Sequence, residues 1–405
     1  MIVRGGTVVT ARGVERADVA IKDGVISAIG GSLDEEADEV DATGRHVFPG
    51  GIDSHVHFNE PGRTEWEDIA HGSAALLAGG YTCFVDMPLN NLPVTTTVEA
   101  FDLKLSAMRR AAKTDYGLWA GLIPGNLDQL APLVARGVMG FKAFMCPSGI
   151  DEFPECDPRT LREGMKRIGD LDSILLVHAE DPTLLREPAG PTAMDFVESR
   201  PPEAEWSAIS QLVELAIETD CRVHVVHVST VEGAAMLGGL VSGETCPHYM
   251  LYTHADLERM GGIAKCAPPL RRERMPLIPM VVSDHSPSTP ALKQGDDFRK
   301  IWGGISGCQS TRQLLLALDE WSPSQVAAAT STNIAQRFRV MDKGDVAVGF
   351  DADLWIVDLD HEDVVRRKDL LYKNPFSVHE GHRIRGRTVR TITRGAARLI
   401  RPGER

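Results

Sequence analysis

The stretch GGIDSHVHFNEPGRTEWED, residues 50–68, places an apolar run directly before two histidines, His55 and His57, that are separated by one residue. Alternate side chains of a β-strand point to the same face, so both imidazoles could reach a single bound ion. Because the run follows a Pro-Gly-Gly linker, the pair falls near the carboxyl end of the strand, where enzymes built on parallel strands place their active sites. An isolated His-x-His is as often packed or exposed without a ligand, so the rest of the chain has to decide.

Seven further apolar runs follow this one, and helical patterns such as VEAFDLKLSAMRRAAK separate them. The eight predicted strands are residues 51–57, 82–88, 116–122, 140–145, 174–180, 222–229, 244–250 and 280–286. Strands that alternate with helices in this way favour an α/β fold of the (β/α)8 TIM barrel type. The alternative, an open doubly wound sheet, would be expected to carry a glycine-rich phosphate loop, and neither GxGxxG nor GxxxxGK with a following Ser or Thr occurs.

One segment does not fit this alternation. Only RRERMPLIP, residues 271–279, separates the apolar runs at 266–270 and 280–286, and this leaves no room for a good helix. The sequence leaves open whether the barrel is degenerate here or whether residues are missing from the chain.

Both ends of the chain look alike and differ from the middle. MIVRGGTVVT and DVAIKDGVISAIG, near the start, are β-branched runs punctuated by glycine, and the second contains a hairpin signal. GDVAVGFDADLWIVDLD and RIRGRTVRTITRG, near the end, have the same character. We therefore expect residues 1–49 and 343–405 to form one small β-sandwich domain beside a barrel domain at residues 50–342.

Charge and cysteine content narrow the class of protein. With 405 residues and a net charge of -14, the chain lacks the basic excess that nucleic acids and anionic membranes attract, so neither is expected as a partner. Seven scattered cysteines without a CxxC pair indicate a reduced, cytoplasmic protein. The start of the sequence has no recognisable signal peptide, and no uncharged run reaches about 18 residues.

Polar side chains occur at the ends of four more predicted apolar strands. They are Lys142 in GFKAFM, His178 in ILLVHAE, His227 in RVHVVHVS and Asp284 in MVVSDHS. One such residue would mean little, but five strands that all carry a His, Lys or Asp in this way predict a shared metal centre. A lysine inside an apolar strand either snorkels to solvent or is kept neutral, because an ammonium is costly to bury. A neutral Lys142 could react with CO2 to give a carbamate that bridges two metal ions.

The ligand types favour zinc, with Fe, Co, Ni or Mn as alternatives. Two ions about 3.5–4 Å apart would lower the pKa of a shared water toward ~7, and the resulting hydroxide could attack an amide carbonyl. Asp284 is expected to take the proton of this water and to return it to the leaving nitrogen. Of the other histidines, His248 is either a substrate contact or a packed group, His285 is expected to be structural, and His71 is expected to have no role.

The chain resembles the cyclic amidohydrolases of the metal-dependent amidohydrolase superfamily over nearly its whole length. The motifs that carry the resemblance are IKDGVISAIG, GGIDSHVHFNEPGRTEWED, GFKAFMCPSGIDEFP, VHAED, HVVHVST, ETCPHY, VVSDHSP and KGDVAVGFDADLWIVD. The resemblance implies that His55 and His57 bind one ion and that His178 and His227 bind a second. It also implies that Lys142, as N6-carboxylysine, bridges the two ions, and that Asp284 ligates the first ion and moves the proton. The family often forms tetramers, which allows a homotetramer.

Within this family, NEPGRTEWE, DMPLN and FMCPSGIDEFP most resemble the allantoinases, which implies a small cyclic ureide substrate and the hydrolysis of allantoin to allantoate. Dihydroorotase is the nearest alternative, but Asn59 and Leu89 stand where its two carboxylate-binding residues are expected. Hydantoinases carry a tyrosine after the bridging lysine, and none is evident in KAFMCPSG. A non-catalytic scaffold is a further alternative, which the presence of all six ligand positions disfavours. The candidate contacts to allantoin are Asn59, Asn90, His248 and Ser306.

Overall fold

The computed structural model describes residues 1–33 and 37–404. Residues 34–36 and 405, which the sequence assigns to the terminal domain, lie outside the described residues. The strands are β1 (Ile2–Thr10), β2 (Gly13–Lys22), β3 (Val25–Gly30), β4 (Glu39–Asp41), β5 (His46–Pro49), β6 (Gly51–Val56), β7 (Tyr81–Asp86), β8 (Asp115–Gly121), β9 (Gly140–Phe144), β10 (Ile174–His178), β11 (Arg222–Val225), β12 (Val241–Gly243), β13 (Leu354–Val364) and β14 (Arg383–Ile392). The α-helices are α1 (Ile69–Ala78), α2 (Val98–Ala111), α3 (Leu130–Arg136), α4 (Pro158–Asp170), α5 (Ala193–Ser199), α6 (Pro202–Thr219), α7 (Val231–Ala235), α8 (Pro247–Leu251), α9 (His254–Met260), α10 (Thr311–Leu316), α11 (Pro323–Ala327) and α12 (Asn333–Phe338).

One sheet is built from both ends of the chain. Its strand order is β14-β13-β5-β1-β2-β3, and β4 pairs with β1. The carboxyl-terminal strand β13 runs antiparallel to β5, with Trp355 opposite Phe48. Val3, Val47 and Ile356 belong to a separate small apolar cluster in this sheet. The predicted small β domain drawn from both termini is therefore confirmed, while its limits at residues 49 and 343 stay predictions.

The second sheet is the barrel. Strands β6 to β12 lie side by side in chain order, and each pairs in parallel with the next. Two parallel bridges close the ring, because Thr245 pairs with Val281 and Val56 pairs with His285. The segment at 281–285 thus takes the place of the eighth strand, and the predicted (β/α)8 TIM barrel is confirmed. Its carboxyl strand ends all open onto one mouth, as parallel strands require.

Capping residues start several of the surrounding helices. Asp68 and Thr97 precede α1 and α2, and each side chain accepts a hydrogen bond from the first turn of its helix. Asp157 does the same for α4, where Pro158 takes the first helical position. Such caps stabilise a helix end by about 1 kcal/mol, so they set where each helix begins after the preceding strand and loop.

The prediction that residues 244–250 form the seventh strand is wrong. The strand is β12, which ends at Gly243, and Pro247–Leu251 forms helix α8 instead. Pro247 has no N–H to donate to a β-ladder, whereas it suits the first turn of a helix. The predicted eighth strand, residues 280–286, makes isolated bridges rather than a continuous ladder. Residues 271–279 contain no helix, as expected, and α8 and α9 occupy the connection before them.

A buried arginine joins the barrel to the terminal sheet. Arg312, on α10, donates hydrogen bonds to the carbonyls of Gly80 (2.8 Å) and Pro49 (3.1 Å). Its guanidinium lies 4.4 Å from the ring centroid of Trp355, which belongs to β13. A single side chain therefore holds the starts of two barrel strands and the middle of the terminal sheet together.

All seven cysteines are buried and none forms a disulfide. Among the helices of the described residues, none has the length and apolar character needed to cross a membrane.

Candidate metal centre

The six predicted ligands line a single cavity at the mouth of the barrel. Its volume is about 460 Å³. The ligands on its wall are His55, His57, Lys142, His178, His227 and Asp284. The histidines lie at or just beyond the ends of β6, β10 and β11, Lys142 lies in the middle of β9, and Asp284 lies in the bridging segment 281–285. A second cavity, of about 270 Å³, lies at the opposite end of the barrel near Ile174 and Arg222 and contains none of these residues. The geometry therefore concentrates the polar strand ends at one place.

The first group of ligand atoms belongs to His55, His57 and Asp284. The Nε2 atoms of the two histidines lie 3.2 Å and 3.5 Å from Oδ1 of Asp284. All three side chains offer ligand atoms within 4.8 Å of one another. The backbone N–H of His57 donates to the carbonyl of His285 (2.8 Å), which ties the histidine strand to the segment that carries Asp284.

The second group consists of His178 and His227. His178 is the last residue of β10, and its Nδ1 lies 3.1 Å from Nε2 of His227. The ring of Phe144 stacks on His178 with a centroid distance of 4.8 Å, which limits how far the imidazole can turn. At 3.1 Å the two ring nitrogens are close enough to share a hydrogen bond, and the same approach brings both within reach of one ion.

Lys142 is buried, and its amine has no hydrogen-bond partner among the described residues. Burial lowers the pKa of Lys142 to about 7, although Asp284 and Glu244 act in the opposite direction. A substantial fraction of the amine is therefore neutral near neutral pH, and the neutral amine is the form that reacts with CO2. A buried amine without a hydrogen-bond partner, in the same cavity as the histidines, fits a lysine that is modified by CO2.

The protonation of the ligands suits a divalent cation. Burial lowers the pKa of His57 and of His178, and it lowers the pKa of His227 furthest, with His178 and Lys142 adding to the effect. Burial alone would raise the pKa of Asp284, but its contacts with His55, His57 and His227 bring the pKa well below its usual range. Neutral imidazoles and an ionised carboxylate are the donors that zinc and similar divalent ions take.

Two buried glutamates that sequence reasoning missed hold the outer nitrogens of two histidines. Glu244 Oε1 lies 2.7 Å from Nδ1 of His55, and Glu180 Oε2 lies 2.6 Å from Nε2 of His178. Both glutamates are fully buried. Arg200 donates to both oxygens of Glu180. For Glu180 the signal was present in the sequence, because it ends the apolar run ILLVHAE, whereas Glu244 stands at the first residue of the predicted strand 244–250 and gave no such signal.

Three residues on the cavity wall have left-handed backbone conformations. The φ angles are 75° for Asn90, 41° for His227 and 45° for Asp284. Residues other than glycine seldom adopt these values, and asparagine, aspartate and histidine are the ones found there most often. The cost is of order 1–3 kcal/mol per residue and is typical of functional sites, where the surrounding structure holds the strained residue in place.

The predicted substrate contacts fall into two classes. Asn90 lines the cavity, whereas Asn59, His248 and Ser306 are buried outside its lining. The side-chain polar atoms of these three have no hydrogen-bond partner among the described residues. A nitrogen of His248 lies within 4.8 Å of a carboxylate oxygen of Asp284. The assignment of these residues to substrate therefore stays a prediction, and only Asn90 has a side chain on the cavity wall.

His285 and His71 were predicted from the sequence to lie outside the metal centre, and both do. His285 accepts a hydrogen bond from the N–H of Gly307 (3.2 Å) and lies 3.3 Å from a carboxylate oxygen of Glu67. His71 is exposed on α1 and pairs with the capping residue Asp68. His285 thus supports the segment beside Asp284 from behind, and His71 lies outside the cavity.

The comparisons with known proteins agree with one another. The model of the family described as "Amidohydrolase family" matches residues 46–386. A curated allantoinase of Solibacter usitatus is 46% identical over 97% of this chain and 92% of its own length, and that of Rubrobacter xylanophilus is 47% identical over 98% and 93%. Among solved structures, the L-hydantoinase (dihydropyrimidinase) of Arthrobacter aurescens superimposes with a TM-score of 0.93 at 29% identity, covering 100% of this chain and 96% of its own. The dihydropyrimidinase of Brevibacillus agri has a TM-score of 0.90 at 27% identity, with 100% and 99% covered.

Proposed function

The chain belongs to the amidohydrolase family, and from that premise we propose that it hydrolyses allantoin to allantoate with a pair of divalent metal ions at the barrel mouth. It is a hydrolase that opens a cyclic amide. The observation that carries the proposal is the convergence of four imidazoles, one lysine and one aspartate on a single cavity. Relatives of 46% and 47% identity that are named allantoinases supply the substrate.

The metal pair is proposed to be divided between the two groups of ligand atoms. His55, His57 and Asp284 would hold the first ion, and the spacing of their ligand atoms supports this. His178 and His227 would hold the second ion. Lys142, carboxylated by CO2, would bridge both, which its unpartnered amine supports. Zinc suits this donor set best, and Fe, Co, Ni or Mn are alternatives.

Asp284 is the group that would move the proton. Bound divalent ions in this arrangement supply a nucleophilic water at neutral pH and polarise the amide carbonyl. The depressed pKa of Asp284 keeps it ionised, so it can accept the proton of the attacking water. The water oxygen would add to the carbonyl carbon as the C=O π bond opens, and the ring C–N bond would break as the carbonyl re-forms, with Asp284 returning the proton to the departing nitrogen. The product carries a carboxylate where the ring carbonyl was.

The cavity wall supports a neutral substrate. Apart from Lys142, its cationic side chains are already engaged: Arg200 by Glu180, Arg299 by Asp297 (2.7 Å), and Lys265 by the backbone carbonyls of Phe298 and Ile301 (both 2.6 Å). Lys300 lies 3.8 Å from Asp297 and is mostly exposed. An anionic ring such as dihydroorotate would therefore lack a dedicated partner, and an unpaired buried carboxylate is strongly disfavoured. Allantoin carries no charge and needs hydrogen bonds instead.

Asn90 is the proposed hydrogen-bonding contact. The carbonyl of Asn90 accepts a hydrogen bond from Arg63 (3.2 Å), so its backbone is held while its side chain lines the cavity. The amide nitrogen lies 3.4 Å from Nδ1 of His57, the ring nitrogen other than the one that faces Asp284. An amide can both donate to and accept from a ureide, which suits this position.

The second candidate is a hydantoinase, because the L-hydantoinase of Arthrobacter aurescens superimposes on this chain with a TM-score of 0.93. A panel of allantoin, hydantoin, dihydrouracil and dihydroorotate, with the ring-opened products measured, separates the candidates. We expect allantoin to give the highest kcat/KM. Faster turnover of hydantoin or dihydroorotate would overturn the assignment of substrate, though not the metal centre.

Metal analysis of the purified protein tests the centre itself. We expect close to two transition-metal ions per chain and loss of activity on treatment with a chelator. A folded protein that binds no transition metal and stays inactive after metal and bicarbonate are supplied would instead support the non-catalytic scaffold. The homotetramer and the cytoplasmic location stay predictions, which size-exclusion chromatography with light scattering and fractionation of cells would test.

A further inference from the structure

Glu244 is held rigidly beside the barrel axis and contacts His55 from behind. Its backbone N–H donates to the carbonyl of Val225 (3.1 Å), and its own carbonyl accepts from the N–H of Val228 (2.7 Å). Its carboxylate is fully buried, with Oε1 2.7 Å from Nδ1 of His55 and Oε2 accepting from the hydroxyl of Ser54 (3.2 Å). The carboxylate therefore has little freedom to move away from the imidazole.

The contact decides which nitrogen of His55 carries the proton. An ionised carboxylate only accepts hydrogen bonds, so Nδ1 of His55 must donate to Glu244. In a neutral ring the lone pair then lies on Nε2, which is the atom 3.2 Å from Asp284 on the cavity side. Without this acceptor the proton could sit on Nε2 and bond to Asp284, and that tautomer cannot ligate an ion through Nε2.

No arginine or lysine forms an ion pair with Glu244 among the described residues. In the part of the chain that the structure describes, its two ion-pair contacts are both imidazoles, His55 at 2.7 Å and His224 at 3.1 Å. Glu180 differs, because it pairs with Arg200. A full negative charge behind a neutral imidazole raises the basicity of the opposite nitrogen and is balanced once a cation binds there.

We propose that Glu244 is a positioning residue for the ion on the His55 and His57 side. It fixes the tautomer of His55, and its negative charge favours a cation bound to the opposite nitrogen of that ring. The inference rests on the metal pair proposed above. Glu244, which directly follows β12, would thus help to hold an ion that it does not touch.

The test is the rate at which each ion leaves the protein. Holoenzyme loaded with Co2+ is mixed with excess chelator, and the loss of the visible absorption of each bound ion is followed. Outer partners of metal-ligating histidines typically contribute 10–100-fold to metal affinity. We expect Glu244→Gln, which keeps the volume and removes the charge, to lose one of its two ions at least tenfold faster while the second leaves at close to its original rate.

Glu205→Gln is the matched control. Glu205 is equally buried, but its carboxylate accepts from the hydroxyls and N–H groups of Ser229 and Thr230 rather than from an imidazole. This variant should release both ions at wild-type rates. If Glu244→Gln does not fold, Glu244→Asp keeps the charge with a shorter reach and should accelerate release of the same single ion by a smaller factor.

The outcomes separate this inference from the proposed function. Wild-type release of both ions from the Glu244 variant, or equal acceleration of both, would show that Glu244 only packs and would overturn the inference. A wild-type protein that takes up no Co2+ would overturn the metal pair on which the inference rests. Selective loss of one ion, with the control unchanged, supports the inference.

Discussion

His55 and His178 lie on opposite sides of the same cavity, and each turns one ring nitrogen toward a fully buried glutamate. The glutamates differ in what balances them. Glu180 forms an ion pair with Arg200, whereas the contacts of Glu244 are imidazoles and a hydroxyl. A buried charge is tolerated when it is paired, and it is costly when it is not. A guanidinium therefore pairs the buried charge on the His178 side, whereas on the His55 side the partners of the buried charge are imidazoles and a hydroxyl.

Removal of the bridge between the two sides should have the largest effect. Lys142→Ala deletes the one side chain proposed to touch both ions, so activity should fall to background. Short carboxylic acids such as acetate or propionate should restore part of it, because they can occupy the space of the carbamate. The measurement is allantoin turnover with and without added acid. The same acids should not stimulate the wild-type protein, and full activity of the variant without acid would refute the bridging role.

Removal of Arg200 should make the two sides alike. Arg200→Met leaves Glu180 buried without a cation, and breaking a buried pair in this way costs about 3 kcal/mol. Denaturant unfolding of the metal-free protein should show this loss, and unfolding of the metal-loaded protein should show less of it, because an ion then lies beyond His178. An equal loss in both forms would mean that bound metal does not compensate Glu180.

Acid should expose the contribution of Glu244. Burial would raise its pKa, but its contacts with His224 and His55 lower the pKa from 4.5 to about 2. A carboxyl with a lower pKa in the folded than in the unfolded chain stabilises the fold above its unfolded pKa, and the contribution is lost as pH falls toward the folded pKa. The shift corresponds to about 3 kcal/mol, lost between about pH 5 and pH 2.

Unfolding free energies of metal-free wild type and Glu244→Gln across this pH range measure that contribution. The variant should lose less stability than wild type as the pH falls, because it has no carboxyl to protonate at this position. Parallel pH profiles for the two proteins would contradict the prediction.

The smallest effect is expected for Asn90, which lines the cavity beside His57. Asn90→Gly removes the amide without strain, because glycine adopts the φ of 75° freely. Loss of one hydrogen bond to substrate is worth about 1 kcal/mol, so KM for allantoin should rise about fivefold with kcat little changed. Asn90→Ala adds backbone strain and should be less stable than Asn90→Gly. A fall in kcat with unchanged KM would assign Asn90 to the chemistry instead.

The sequence predicts the barrel well because its signals are local. Apolar runs mark six of the strands closely, and the polar residues on four of these runs and on the eighth segment are the six predicted ligands, all of which line the cavity. The seventh strand was misplaced because the polar cluster in ETCPHY looked like a strand end, while Pro247 ends any ladder and begins a helix. The eighth segment closes the ring with two bridges, and pattern alone does not distinguish such bridges from a full strand.

The support for the site was harder to predict. Glu244 and Glu180 could each have been a helix-starting or exposed residue, since a carboxylate at a strand end is common in both settings. Only the packing reveals that each is fully buried against an imidazole. The same applies to Asn59, His248 and Ser306, because resemblance suggests a polar contact but not which wall of the barrel mouth its side chain faces.

The antiparallel pairing of β5 with β13 has a consequence for the chain as it leaves the ribosome. Until β13 is synthesised near the far end of the polypeptide, β5 has β1 on one side and an open edge on the other, with Val47 and Phe48 along it. An uncovered apolar edge invites pairing with other chains. This edge of β5 therefore stays without its final partner until the ribosome has passed Leu354, which is most of the time of translation.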